Sequence, residues 1–335
     1  MTRAGRRGPG SGVDRSFRSR YVLRRLAQGI FVLWGAFTAA FVILYTLPGN
    51  PVLLMLGGND GAEITVASQA QIAQVEQEYG FNKPVIVQYL DSLGHFLTGD
   101  FGRSIETGGP VTAMIGSSLG QTLQLALAAL ILAVVLGTGV AVLSVWTNVR
   151  FLRQFLLALP SVGVSMPTFW TGLLLVELFS FQLRMFPAVG NNGFRGLVLP
   201  AITLAIPTSA VIAQLLAKSL RTIMEEPYIE SALARGMSRG AVLFRHALRP
   251  ASIPTMTMLG VIVGNMVAGS VVVETVFSRV GIGRLAFQAV DSEDIPVIQA
   301  LVVLSALIFV IVSLAVDLLY LRVDPRIALP GGRTR

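Results

Sequence analysis

Residues 225–246 read EEPYIESALARGMSRGAVLFRH. The segment is charged, rich in arginine and helix-forming, yet the runs on either side of it are ones that water would reject. From Pro227 onward the apolar positions Tyr228 and Ile229 recur at Ala232 and Leu233, the i, i+4 stripe of an amphipathic helix. Gly236 interrupts that stripe, and a second amphipathic piece follows over 239–248 with Val242, Leu243 and Phe244. The small residues Ser231, Ala232, Ala234 and Gly236 leave room for another surface to approach closely. Two readings stand at this point: a solvated loop helix, or a helix that docks into a groove on a soluble partner.

The surrounding chain narrows the choice. Of 335 residues, 53% are hydrophobic and 13% charged, and the mean hydropathy is +0.69. Soluble domains carry about 25% charged residues, so this composition belongs to an integral membrane protein. There is no cysteine, which excludes a disulfide framework and thiolate metal sites. Six runs approach the roughly 20 apolar residues that cross a hydrocarbon core: 26–47, 119–146, 162–181, 197–217, 253–277 and 296–321. Prolines 160, 167, 200 and 207 are expected to interrupt the third and fourth, marking them as bundle interior or pathway. The first run is too long for the apolar core of a secretory signal and is followed by Pro48-Gly49-Asn50-Pro51 instead of a small-residue cleavage site.

Charge assigns the sides. With six spans, both termini and the loops 2–3 and 4–5 share one face. They hold all the lysines and arginines except Lys83, Arg103, Arg184, Arg195, Arg279 and Arg284. Such a bias marks the cytoplasmic face, so residues 225–246 are cytoplasmic. The net charge of +8 then reflects topology, and no nucleic-acid partner is implied. The expected layout is a basic cytoplasmic tail at 1–25, then a first span with a long outer loop over 26–118. A membrane core over 119–325 contains the cytoplasmic loop 218–252, and a short tail follows at 326–335. In the outer loop, Ser68–Tyr79 reads as a polar helix and the rest as turns. The second outer loop, 278–294, has an amphipathic middle.

Catalytic motifs are absent. His95 and His246 fall on opposite faces, and HExxH, GxSxG and GxxxxGK[ST] do not occur. No catalytic or metal-ligating residue is assigned. Three acids lie in or near spans, and an intramembrane carboxylate is a functional hypothesis by default. Glu274 is expected at the outer interface near Arg279 or Arg284, and Asp317 lies close to Arg322. Glu177 is mid-span, and either lines a polar path or pairs with a cation of a partner subunit. Gly260, Gly264 and Ala268 form a small-residue ridge that packs within the chain or against a second subunit.

The spacing in the quoted stretch also carries a resemblance. Glu230-Ser231-Ala232-x-x-x-Gly236, then nine residues, His246-Ala247-Leu248 and Pro250, resembles the EAA loop of ABC-importer permeases. Ser231 stands where the family has its first alanine, and the closing proline is displaced by one position through Arg249. Further matches run in family order: LPGNP (47–51), YGFNKPVIVQYL (79–90), GDFGRS (99–104), TGGPV (107–111), SMPTFWTGLLL (165–175), VVVETVFSRVGIGRL (271–285) and VDLLYLRVDPRI (316–327). They resemble the dipeptide/oligopeptide (peptide/nickel) permease subfamily, whose first motif usually has Asp where Asn50 stands here.

The resemblance implies an all-α integral membrane fold, the six-helix type I ABC-importer transmembrane domain, with an N-terminal extra-span and outer-loop region. It implies a permease without enzymatic activity of its own, working by alternating access, that moves peptides or related small solutes. No cofactor would be bound by this chain, ATP and Mg residing on the partners. Those partners would be two cytoplasmic ABC ATPase subunits or domains, a second homologous permease (favouring a heterodimer), an extracytoplasmic binding protein and membrane lipid. The coupling surface would comprise Glu230, Ser231, Ala232, Arg235, Gly236 and Arg239. Met166, Phe169, Trp170, Glu177, Asn265 and Met266 are candidates for the translocation path by polarity and position.

Overall fold

A computed structural model describes residues 13–46 and 83–323, with side chains for 24–43 and 83–315. The helix expected at Ser68–Tyr79, the residue Asn50 and the side chain of Asp317 lie outside the described residues. Within them the chain is helical: α1 (Val13–Thr46), α2 (Val85–Thr98), α3 (Val111–Trp146), α4 (Arg150–Ser165), α5 (Thr168–Val176, continued by a π-helical turn at Glu177–Gln182), α6 (Gly193–Met224), α7 (Pro227–Ala234), α8 (Arg239–Val242, continued by a π turn at Leu243–Ala247), α9 (Leu248–Thr257), α10 (Leu259–Val276), α11 (Ile282–Asp291) and α12 (Ile295–Val323). Five of these (α1, α3, α6, α10 and α12) contain stretches long and apolar enough to span a bilayer. The pair α4–α5, bent by 101°, makes a sixth.

Helix α3 sets the frame. Its 36 residues extend about 54 Å at 1.5 Å per residue, well beyond a hydrocarbon core of about 30 Å. It starts at Val111, eight residues before the expected Leu119, with Pro110 of TGGPV at its N-cap. Leu125, Ala129, Ala133, Gly137, Ala141 and Val145 are all buried and recur every four residues. Small side chains on such a ridge let helices approach closely in lipid, where association rests on van der Waals packing. Helix α6 runs parallel to it, and a Cβ at Gly137 would lie 2.7 Å from the Ser209 carbonyl oxygen.

Three buried clusters follow one another along α3. At its start Val111 and Ile115 meet Ile282, Ala289 and Val297. In the middle Leu125 and Ala133 pack with Leu204, Ile212, Ile262 and Val273. At its end Val142 and Val145 meet Leu216, Leu220, Ile229 and Val242. The segments 278–294 and 225–249 therefore sit at opposite ends of the bundle. The Gly260/Gly264 ridge packs within the chain, Gly260 toward Ser313 and Gly264 against the Phe309 ring of α12.

The prolines behave differently from expectation. Pro200 and Pro207 lie inside α6, which stays continuous. A proline removes the N–H that would satisfy the carbonyl four residues earlier. For Pro200 that carbonyl is Gly196, and the buried Arg279 guanidinium donates to it at 2.7 Å. Only Pro167 breaks a span, since Met166 before it takes an extended conformation (φ −83°, ψ 124°). The fifth run is likewise two helices, α9 and α10, joined at Met258.

The end of the bundle near α11 is tied by buried polar groups. Glu274 is 1% exposed, enclosed by protein at the end of the bundle that also holds Arg279 and Arg284. Its carboxylate accepts from Thr122 Oγ1 (2.7 Å), Gly283 N (2.7 Å) and Arg284 N (3.2 Å). Thr122 Oγ1 in turn accepts from Ile282 N at 2.7 Å. A Cβ at Gly281 would collide with the Glu274 carboxyl group, and one at Gly283 with the Val271 backbone, which explains G-I-G in the motif. Beside this knot, buried Asp294 accepts from the Ser104 hydroxyl and from Ile105 N at 3.2 Å. That contact fastens the GDFGRS turn to the start of α12.

Candidate functional site

The opposite end holds the segment on which the sequence analysis turned. Helix α6 ends at Met224, Glu226 is extended, and Pro227 opens α7 at a position where its missing N–H costs nothing. Helix α7 is closed by Gly236, whose φ of +86° is the left-handed conformation that favours glycine. The turn is sealed by Gly236 N–H to Leu233 O (2.9 Å) and Met237 N–H to Ala232 O (3.3 Å). Ser238 then caps α8, its hydroxyl accepting from Ala241 N at 3.3 Å. The result is helix, left-handed turn, helix, as the Gly236 interruption implied.

One face of this unit is fixed to the bundle. Ile229, Ala232, Val242 and Leu243 are buried among Val142, Val145, Leu216 and Leu220. The other face is open, presenting Glu230, Ser231, Ala234 and Arg235 with Tyr228 (47% exposed) and Leu233 (38%). Apolar side chains exposed on an otherwise polar helix are the pattern of a docking surface. Ala232, at 3% exposure, faces the chain's own core, so it anchors the helix and cannot touch a partner directly. That corrects its sequence assignment. Ser231 fills the place of an alanine without spoiling the surface, because its hydroxyl donates back to Pro227 O at 2.9 Å. Arg235 Nε donates to Ser231 O (3.2 Å). Arg239 is engaged elsewhere, donating to Asn148 Oδ1 at 3.1 Å in the turn between α3 and α4. Sequence spacing gave no sign of that bond, which joins residues 91 apart.

The path candidates separate. Met266 is 2% exposed inside the central cluster, so it is a core residue and lines nothing, a second correction. Asn265 is exposed, on a stripe of α10 with Val261, Ala268 and Val272. On α5 the exposed stripe runs Trp170, Leu174, Glu177, Phe181, with Phe169 beside it and Met166 half-buried at the bend. Glu177 begins the π turn and accepts from Gln182 Nε2 at 3.2 Å. Gly172 packs α5 onto α6 and α10 at Thr203, Val276 and Phe277.

These features describe a helical membrane protein with a helix–turn–helix at one end, buried on one face and open on the other, and comparison with known proteins gives the class. Residues 133–329 match the family described as the binding-protein-dependent transport system inner membrane component, and the chain belongs to it. It is a multi-pass permease subunit of an ABC importer, a protein of the cytoplasmic membrane. Among its relatives, the probable peptide ABC transporter permease protein y4tP of Sinorhizobium fredii is 35% identical over 315 residues, covering 92% of this chain and 98% of the relative. The dipeptide transport system permease protein DppB of Alkalihalophilus pseudofirmus is 34% identical over 335 residues, with the same coverage. The glutathione transport system permease protein GsiC of Salmonella typhimurium is 37% identical over 308 residues, again covering 92% and 98%. A solved chain of the MetNI methionine ABC transporter, in an inward-facing conformation, superposes with a TM-score of 0.55 at 17% identity. It covers 63% of this chain and 96% of that one. At that identity the likeness is one of fold.

Proposed function

We propose that this permease imports short peptides by alternating access and takes its energy from a separate ATPase docked on the open face of α7. The observation that carries this reading is the loop's two-sidedness: Ile229, Ala232, Val242 and Leu243 root it in the bundle, while Tyr228, Glu230, Ser231, Leu233 and Arg235 stand free. A loop rooted on one side and open on the other transmits force from a partner to the spans. ATP and Mg belong to the partner ATPases, and this chain performs no catalysis. Closure of two ATPase subunits draws the docked loops together, and rigid-body movement of the spans opens a cavity outward. The outer binding protein delivers solute to that cavity. Both termini lie on the cytoplasmic face with the loop, which the distribution of arginines supports.

A second homologous permease completes the path, and the exposed stripes Trp170–Glu177 and Val261–Asn265 supply its walls. A carboxylate on a lipid-facing surface costs several kcal/mol, which supports a protein- or cavity-facing place for Glu177. Peptides are the substrate class favoured by the names of relatives that cover nearly the whole chain, with glutathione, itself a peptide, in a third.

Co-purification tests the reading. The chain, expressed with its neighbouring transport genes, should retain an ATPase, and Gly236→Asp should release it while the permease stays folded. ATPase retention by Gly236→Asp, or solute uptake that persists without the ATPase, would overturn the coupling assignment.

A further inference from the structure

Arg239 belongs to the coupling set by sequence, yet its guanidinium is turned toward its own chain. We propose that Arg239 is a positioning residue: through Asn148 it ties the base of the docking loop to the α3–α4 turn, so that α4 moves with the loop. The inference rests on the coupling role proposed for α7 and adds a third route out of the loop. Two routes are covalent, back into α6 and forward into α9. The third is the bond from Arg239 to Asn148 Oδ1 at 3.1 Å.

Both ends of that bond are held firmly. Arg239 is the first residue of α8, behind the Ser238 cap, and α8 is anchored by fully buried Val242. Asn148 is the middle of a three-residue turn between α3 and α4. Thr147 N–H donates to Leu143 O (3.0 Å), Val149 N–H to Thr147 Oγ1 (3.3 Å) and Arg153 N–H to Val149 O (3.0 Å). These bonds hold the residues on either side of Asn148 to the end of α3 and the start of α4, so a pull on Asn148 reaches α4 within one residue. The Trp146 indole nitrogen also lies beside Gly240, 4.0 Å from where a Cβ would stand. Beyond its buried Pro160, α4 leads to the bend at Pro167 and into α5, the helix that carries Trp170 and Glu177.

Arg239 and Asn148 are both exposed. One water-accessible bond adds little to stability, so its removal leaves the fold and the docked ATPase in place. What it supplies is direction. Energetic coupling of this kind needs an element whose two positions both sites can bias, and the proposal gives that part to α4, which ends at the Pro167 bend.

The test uses the whole permease–ATPase complex in nanodiscs. The chain has no cysteine, so single cysteines at the exposed positions Phe151 on α4 and Arg245 in the loop can each carry a spin label. The distance between them is measured without nucleotide and after trapping with ATP and vanadate. In the parent complex the distance is expected to hold between the two states. In Arg239→Ala and Asn148→Ala it is expected to broaden, or to shift by more than about 2 Å on trapping, the scale of helix shifts in switching proteins. The double variant should match either single one, and Asn148→Asp, which keeps the acceptor, should restore the parent behaviour. All variants should trap as much ADP as the parent. A parent distance that changes on trapping, variants that leave it unchanged, or loss of ADP trapping in Arg239→Ala with Asn148→Ala silent would each overturn the proposal. The last outcome would make Arg239 an ATPase contact. Failure of the coupling role itself reads differently: the unmodified chain then retains no ATPase.

Discussion

The two ends of α3 are built by opposite rules. Near its start, polar groups of four helices are buried and joined by hydrogen bonds: Thr122 from α3, Glu274 from α10, the backbone of α11 and Arg279 Nη1 reaching α6. Near its end, α7 and α8 are attached chiefly by apolar side chains, and apart from the Arg239–Asn148 bond their polar side chains face outward. A buried polar network tolerates one arrangement, because any displacement leaves a donor or acceptor unpaired. An apolar contact tolerates small sliding. On this contrast the first end is expected to hold one arrangement and the second to allow small movement.

Removing Glu274 should break that comparison most severely. Glu274→Ala leaves Gly283 N, Arg284 N and Thr122 without their buried acceptor, a loss on the order of 3–5 kcal/mol. The expected outcome is failure to recover folded permease in detergent, read by size-exclusion profile and thermal melting. Glu274→Gln keeps one acceptor oxygen and should lie between the two. If Glu274→Ala melts with the parent, the network is not what fixes this end.

Ile229→Ala strikes the other end. It removes about three methyl-sized groups from a fully buried site, worth about 2–4 kcal/mol, but only between α7 and the bundle. Limited proteolysis of the permease alone should show cleavage at 225–238 rising, while the spans stay resistant. General unfolding in place of local cleavage would mean that the loop is as integral as the Glu274 network. Asp294→Ala should act next, at about 1–3 kcal/mol. It frees the Ser104 turn, and the expected readout is new cleavage at 100–110 with ATPase binding unchanged.

What the sequence disclosed divides along the same line. The spans and the helix–turn–helix about Gly236 depend on residues close together in the chain, and these were legible. The continuity of α6 was not, because the missing partner of Gly196 is supplied by Arg279, 83 residues away. The partner of Glu274 was hidden for a related reason: its neighbours in sequence gave no hint of Thr122 across the bundle. Met266 was assigned by its position in the span and Ala232 by its place in the 230–236 motif, but helix rotation decides which way a side chain faces, and that depends on packing. The ridge Leu125–Val145 was readable from its four-residue spacing, a signal present in the sequence and outweighed there by the more familiar Gly260/Gly264 pair.

The smallest expected effect on stability is the most informative about function. Leu233 is 38% exposed on α7, so Leu233→Ser removes only part of a covered contact and should change the melting of the isolated permease by less than about 1 kcal/mol. In the complex the same side chain becomes a buried anchor if α7 docks in a groove, and a truncated anchor commonly costs more than about 2 kcal/mol, or some thirtyfold in affinity. Titration of purified ATPase against nanodisc-held permease separates the two quantities. A melt that holds while affinity falls thirtyfold assigns Leu233 to the partner. Affinity that also holds would move the docking surface away from this face of α7, toward Tyr228 or the exposed Phe244. The loop would then transmit force from its base, where Arg239 already grips the α3–α4 turn.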